Sequence, residues 1–182
     1  MSGRFIAIVG PSGVGKDSVM TAMAKAEPRL TLTRRVITRP SDAGGEEFDG
    51  VSLRAFETLE DAGSFALSWA AHGLKYGIPT VVDQSLMDGR DVLANLSRGA
   101  LLKAKSRFAS FTIIHLTARH DVLAQRLSQR GREDTAEISR RLERASFGLP
   151  AEIEAIQLDN SGPLDDTVRA ALDLLYPEDV TL

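Results

Sequence analysis

Gly10, Gly13 and Gly15, followed by Lys16, are the residues of this chain whose types and spacing most clearly serve a chemistry. In the run Gly10-Pro11-Ser12-Gly13-Val14-Gly15-Lys16 the glycines let successive backbone N–H groups turn inward on one point. Such a cradle holds phosphate oxygens, and Lys16 can reach the outer phosphates as a mobile point charge. The chemistry implied is binding of a nucleoside triphosphate and transfer of its terminal phosphoryl group. Asp17 stands where a loop of this kind usually carries a hydroxyl residue, and Ser18 follows it. A carboxylate at that position is a hard oxygen ligand suited to Mg²⁺. It also suits the first turn of a helix, where acids are favoured for their own sake.

The loop functions only if a strand ends at it and a helix begins from it. Phe5 to Val9 reads as a buried strand, and the segment carrying Val19, Met20 and Met23 reads as a helix that stops before Pro28. Asp91 to Leu96 and Phe111 to Leu116 are two more apolar strands, with Ala155 to Leu158 a weaker fourth. Helical patterns cover Val122 to Gln129, Ile138 to Phe147 and about Leu164 to Leu175, the last with Val168, Ala171, Leu172 and Leu175 on one face. This alternation predicts an α/β fold, a P-loop NTPase core in which helices flank a parallel sheet. Ligands should then sit at the carboxyl ends of the strands.

The middle of the chain reads differently. Thr33 to Thr38, a turn-rich stretch from Ser41 to Gly50, Phe65 to Trp69 and Leu74 to Ile78 suggest a small inserted β subdomain, about residues 31–79. Kinases of small metabolites commonly hold the acceptor on such an insertion. The core is then about 1–30 and 80–182, all within one domain spanning 1–182. Inside it, 126–145 reads as an arginine-rich lid. Arg126 and Arg130 share a helix face opposite Leu123 and Leu127, and Gly131 ends that helix. Asp134 with Glu137 three residues on forms a capping box for the next helix. There Ile138, Leu142 and Ala145 form the buried stripe, and Arg140, Arg141 and Arg144 lie off it. Beside a phosphate loop, such arginines suit a lid that closes on the transferring group.

Composition narrows the classes. A net charge of −3 gives no support for a nucleic-acid binder. Of 22 basic residues 17 are arginine, which favours bidentate phosphate contacts. With no cysteine, disulfides and thiolate metal sites are excluded. No signal-peptide pattern and no apolar run of membrane-spanning length is present, so a cytoplasmic protein is expected. The composition says nothing of oligomeric state.

Together these motifs resemble the guanylate kinase family over nearly the whole chain. The matching stretches are the loop at 10–16, Thr38-Arg39 before Gly45-Glu46, Tyr76-Gly77, Gly89-Arg90-Asp91-Val92-Leu93, Gln125-Arg126-Leu127 through Arg130-Gly131, and Arg141-Leu142 with Ala145. The resemblance implies that Lys16, Arg130 and Arg141 stabilise the phosphoryl group in flight. A kinase-like scaffold without catalysis would have degraded the loop and the lid, whereas these three residues are present.

The acceptor region departs from that family. Its guanine-reading serine falls on Arg35, its guanine-binding glutamate on Leu67, its acidic strand-end residue on Ser97 and a phosphate-binding tyrosine on Leu53. Leu67 has no group to bond a purine edge, and a site built to read a base loses heavily without such groups.

The departures resemble the ribose 1,5-bisphosphate phosphokinases of phosphonate catabolism. The segments concerned are Gly15-Lys16-Asp17-Ser18, Ala66-Leu67-Ser68-Trp69, Gly73-Leu74, Asn95 with Ser97-Arg98, and Arg130-Gly131-Arg132-Glu133. This resemblance implies ATP-dependent, Mg²⁺-assisted conversion of ribose 1,5-bisphosphate to 5-phosphoribosyl 1-diphosphate. A guanylate-like nucleoside monophosphate kinase is the alternative. Arg35 and Arg39 would hold acceptor phosphates, with Arg98 a third contact, while Tyr76, Asn95 and Ser97 meet remaining oxygens or sugar hydroxyls. Trp69 reads as core, with an indole N–H that needs a partner. His72, His115 and His120 receive no role.

Overall fold

The computed structural model describes residues 2–43, 47–129, 134–145 and 148–177. The first strand, β1 (Phe5–Val9), is buried along its whole length. From it the chain passes through the glycine loop into α1 (Lys16–Ala26) and then β2 (Leu30–Leu32). The inserted segment follows as β3 (Arg35–Ile37), β4 (Phe48–Gly50), α2 (Leu53–Asp61), β5 (Phe65–Ala71) and β6 (Leu74–Pro79). The chain returns through α3 (Val81–Met87), β7 (Asp91–Asn95), a 3₁₀ turn at Arg98–Ala100, α4 (Leu101–Arg107) and β8 (Phe111–Thr117). It ends with α5 (His120–Gln129), α6 (Thr135–Ala145), β9 (Ile156–Asp159) and α7 (Leu164–Leu175).

Five strands form the main sheet in the order β2-β7-β1-β8-β9, and every pairing in it is parallel. Its central strands are apolar on both faces because helices cover both. One face gathers Phe5, Ala7, Val9, Val92 and Ala94 with Leu101 and Ala104 of α4. The other packs Ile6, Ile8 and Leu93 against Val19, Met20 and Met23 of α1 and Val168, Ala171 and Leu175 of α7.

The expected alternation is therefore present, with one change at a boundary. Leu30 to Leu32 pair in parallel with Asp91 to Leu93, so β2 is the edge strand of the main sheet and the insertion starts after it. Three residues carry too little periodicity to be read as a strand. Leu30 earns its place by burial against the α1 side of the core.

The insertion is a four-stranded sheet in the order β4-β3-β6-β5, with α2 beside it. β5 and β6 form an antiparallel hairpin whose last pair is Ala71 with Leu74. Its two-residue turn, His72 and Gly73, has φ of 53° and 75°, the left-handed pair that matches strand twist. Helix α2 was not legible as a helix in the sequence. Ser52 caps it, its Oγ accepting from Ala55 N at 3.1 Å, and Phe56 anchors it in the core. No helix among the described residues is long and apolar enough to cross a membrane.

Candidate active site

The glycine loop lies at the carboxyl end of β1, between the ends of β7 and β8. Gly13 and Gly15 adopt φ of +85° and +94°, a region that side-chain-bearing residues avoid. A Cβ on Gly15 would also stand 2.8 Å from Asn160 Nδ2. Gly15 is the N-cap of α1 and gives no side-chain bond to the first-turn amides, which leaves that helix end suited to an anion. Lys16 Nζ folds back over the loop, donating to Gly10 O at 2.9 Å and Pro11 O at 3.2 Å.

Two side chains hold the loop from outside. Asn160, buried after β9, donates from Nδ2 to Val14 O at 2.7 Å and accepts at Oδ1 from Thr167 Oγ1 at 2.8 Å. Arg126 of α5 donates to Val14 O at 3.2 Å and to Asn160 O at 2.8 Å. The sequence placed Arg126 on the lid; the fold gives it the loop to brace. Asn160 was missed altogether, since one amide in a turn carries no local signal of its distant partner. These residues, with Gly13, Gly15, Gln129 and Leu164, line a cleft of about 410 Å³ beside the loop.

Helix α6 also reaches the loop. Asp134 Oδ1 accepts from Glu137 N at 2.8 Å, the capping geometry expected from the sequence. One turn later Arg141 Nη1 donates to Ser12 Oγ at 2.8 Å, which brings this arginine to the phosphate loop. Arg130, together with Gly131, Arg132 and Glu133, lies outside the described residues, as do Gly45 and Glu46. Asp17 is half-buried in the first turn of α1, and Ser18 is exposed beside it.

The acceptor-side residues fall into three groups. Arg35 is buried, donates from Nη1 to Asn95 O at 3.1 Å, and holds its guanidinium 5.0 Å from the centre of the Tyr76 ring. Trp69 stacks on Tyr76 at 5.3 Å and donates its indole N–H to Ser97 Oγ at 2.9 Å. The partner that the indole required is thus a residue read as a substrate contact. Arg39 lies beyond the far end of β3, its guanidinium 4.3 Å from the centre of the Phe48 ring.

Arg98 opens the 3₁₀ turn after β7, and burial holds its guanidinium below the ordinary arginine value. His115 of β8 is its neighbour. Burial, and then the Arg98 charge, push the imidazole below the usual histidine range against an opposing bond from Gln157. His115 Nδ1 is buried without a hydrogen-bond partner among the described residues. Sequence gave this histidine no role, and its position against Arg98 emerges only from the pairing of β8 with β1.

A glycine loop with its lysine at the end of a parallel strand, an arginine helix touching the loop and a separate inserted sheet define a P-loop kinase. The guanylate kinase of Anaplasma phagocytophilum has the same fold, with a TM-score of 0.70 over 98% of this chain and 87% of that one, at 15% identity. No protein-family model matches the chain. Relatives are much nearer in sequence. The ribose 1,5-bisphosphate phosphokinase PhnN of Ruegeria sp. (strain TM1040) is 50% identical over 177 residues, covering 97% of this chain and 93% of that protein. Its namesake from Agrobacterium fabrum (strain C58 / ATCC 33970) is 49% identical over 173 residues, covering 93% and 94%. The chain belongs to the ribose 1,5-bisphosphate phosphokinase family, and it is a kinase.

Proposed function

We propose that this enzyme transfers the γ-phosphoryl group of ATP to ribose 1,5-bisphosphate, giving ADP and 5-phosphoribosyl 1-diphosphate, in the cytoplasmic degradation of phosphonates. The observation that carries the reading is near-full-length identity of about one half to relatives bearing that name. The acceptor-side hairpin agrees with it, since Leu67 is buried in the core and the Trp69 N–H is already taken by Ser97.

In the reaction an oxygen of the sugar's 1-phosphate attacks the γ-phosphorus. A P–O bond forms there as the bond to the β,γ-bridging oxygen breaks, and ADP carries away the charge. The attacking phosphate is already ionised at neutral pH, so no general base is required. What the protein must supply is alignment of two anions and relief of their repulsion. Lys16 leaves its two backbone carbonyls for the β- and γ-phosphates, with the loop amides and the start of α1 beneath them. Arg141 exchanges the Ser12 hydroxyl for the moving phosphoryl group, with Arg130 as its companion.

Arg39 and Arg98 hold the acceptor's phosphates, while Tyr76, Asn95 and Ser97 bound the sugar. Arg35, whose Nη1 donates to the Asn95 carbonyl, is a further cation for those phosphates. Among the described residues no three acidic or imidazole side chains gather as a metal cage. Mg²⁺ does not require one, since it is held by one or two carboxylates, waters and the substrate's phosphates. Asp17, with Ser18 beside it, would hold that ion, whose charge offsets that of the triphosphate.

Incubation of the enzyme with ATP and ribose 1,5-bisphosphate, followed by ³¹P NMR, tests the product directly. The expected result is a pair of coupled diphosphate resonances growing with ADP while the sugar 1-phosphate signal falls. Release of inorganic phosphate without a sugar diphosphate would refute the assignment.

A further inference from the structure

The proposed acceptor carries two phosphates and no base, and the question is what the fold has done with the space a base would occupy. The residues that answer it sit between the acceptor sheet and the end of β7. Trp69 and Tyr76 are direct partners across the β5–β6 hairpin, so their rings leave the sheet on the same face. Those rings lie nearly parallel, 8° apart with centroids 5.3 Å distant. The Arg35 guanidinium stands 6.0 Å from the Trp69 ring centre and 5.0 Å from that of Tyr76. From the other wall, Ser97 Oγ accepts the indole N–H at 2.9 Å. Lys103 of α4 also crosses, donating to Ser68 O at 2.8 Å beside it.

An indole and a purine are both flat six-five fused rings with an N–H on the edge. Trp69 is stacked on one aromatic face, approached by a guanidinium and hydrogen-bonded at its N–H. A base-binding site would treat a purine in the same way. We propose that Trp69 is a specificity-determining residue of the acceptor site. Its side chain is an internal surrogate for a purine, filling the slot so that a nucleoside monophosphate is shut out and a base-free phosphorylated sugar is taken. The inference rests on the acceptor reading given above. It assigns to Trp69 an exclusion by volume, because the indole occupies the slot itself.

The test compares kcat/KM for GMP and for ribose 1,5-bisphosphate, at saturating ATP, in the wild type, Trp69→Ala, Trp69→Ser and Trp69→Phe. Melting temperature and the KM for ATP are recorded for each variant to show that the fold and the phosphate loop persist. Opening the slot with Ala or Ser is expected to raise the GMP-to-sugar ratio by roughly tenfold or more, the scale of discrimination that pocket shape provides. Phe retains a ring in the slot and is expected to raise the ratio less than Ala or Ser does.

A ratio that stays the same or falls in both Ala and Ser variants overturns the proposal. Should these variants prove too unstable to assay, GMP binding to Trp69→Leu, measured by calorimetry, decides in the same direction: tighter than wild type supports it, no tighter overturns it. The wild-type ratio alone judges the acceptor assignment, and the change on substitution judges Trp69, so the two can fail separately.

Discussion

The two ends of the main sheet treat charge in opposite ways. At the amino end Arg4 closes on Asp91, with Nη2 to Oδ2 at 2.8 Å and its backbone N–H to Oδ1 at 2.7 Å. Tyr176, just past α7, adds its hydroxyl to Asp91 Oδ2 at 2.7 Å, and Arg29 lies 3.9 Å over the Tyr176 ring centre. At the carboxyl end Lys16 donates to the carbonyls of Gly10 and Pro11, Arg126 to those of Val14 and Asn160, and Arg141 to a serine hydroxyl, with Glu137 Oε1 only 3.7 Å from its Nη2. A carboxylate clamp is a finished structure, since removing either side leaves a charge in a poorly solvated place. Bonds from cations to neutral oxygens can be traded for phosphate oxygens, which accept them more strongly. One end of the sheet is built to hold and the other to exchange.

Substitutions at the two ends should therefore separate activity from stability. Lys16→Ala has the largest expected effect, a fall in kcat of about 10³-fold, because it removes a cation from the transferring phosphates. Its melting temperature should stay within about 1 °C of wild type, under the roughly 2–4 °C that 1 kcal/mol produces in a domain of this size. Arg141→Ala follows, with a loss of about 10²-fold in kcat and a smaller change in the KM for ATP. Steady-state rates alongside thermal melts check both. If either variant lost stability in step with activity, the division between the two ends would be wrong.

Asp91→Asn probes the amino end. It should cost about 2 kcal/mol in denaturant unfolding while the KM for ATP stays at the wild-type value. The pH dependence of stability follows from the same contacts. Burial would raise the Asp91 carboxyl, but bonds from Arg4 and Tyr176 prevail and hold it below the ordinary value. A depressed carboxylate contributes stability above its unfolded pKa, near 4, and loses it as pH falls through the lower folded one. The wild type should accordingly destabilise as pH drops below about 4 more steeply than Asp91→Asn does.

Tyr176 shifts the other way, since burial and the Asp91 charge raise its phenol. Its contribution is complete below about pH 10 and declines as pH rises from there through the raised folded value. Unfolding curves across pH, for wild type and Asp91→Asn, test both limbs. The smallest effect is expected from Asp17→Ala, which should raise the Mg²⁺ concentration for half-maximal rate; an unchanged Mg²⁺ dependence removes Asp17 from the metal site.

Legibility in the sequence follows the same division, for a physical reason. The phosphate loop could be read because its chemistry is local: three glycines and a lysine specify the backbone path within seven residues. The strands β1, β7 and β8 were readable for their mainly apolar runs, since both faces are covered. Asn160 escaped because the carbonyl it holds belongs to Val14 at the far end of the chain. Arg126 and Arg35 were recognisable as arginines of interest, but a guanidinium's partner is chosen in three dimensions. β2 and α2 were lost to shortness and to an exposed surface. The Arg4–Asp91–Tyr176 clamp left no trace in any motif, for its members stand at three separate ends of elements.

The most direct test of the account is an ADP-release assay on the wild-type enzyme with ribose 1,5-bisphosphate and GMP offered in parallel at matched concentration. The account predicts turnover of the sugar bisphosphate at least about 10²-fold faster in kcat/KM, the scale expected when an acceptor site lacks the groups that read a base. Preference for GMP would contradict it, leaving the phosphate loop intact but reassigning the wall built by Arg35, Trp69, Tyr76 and Ser97.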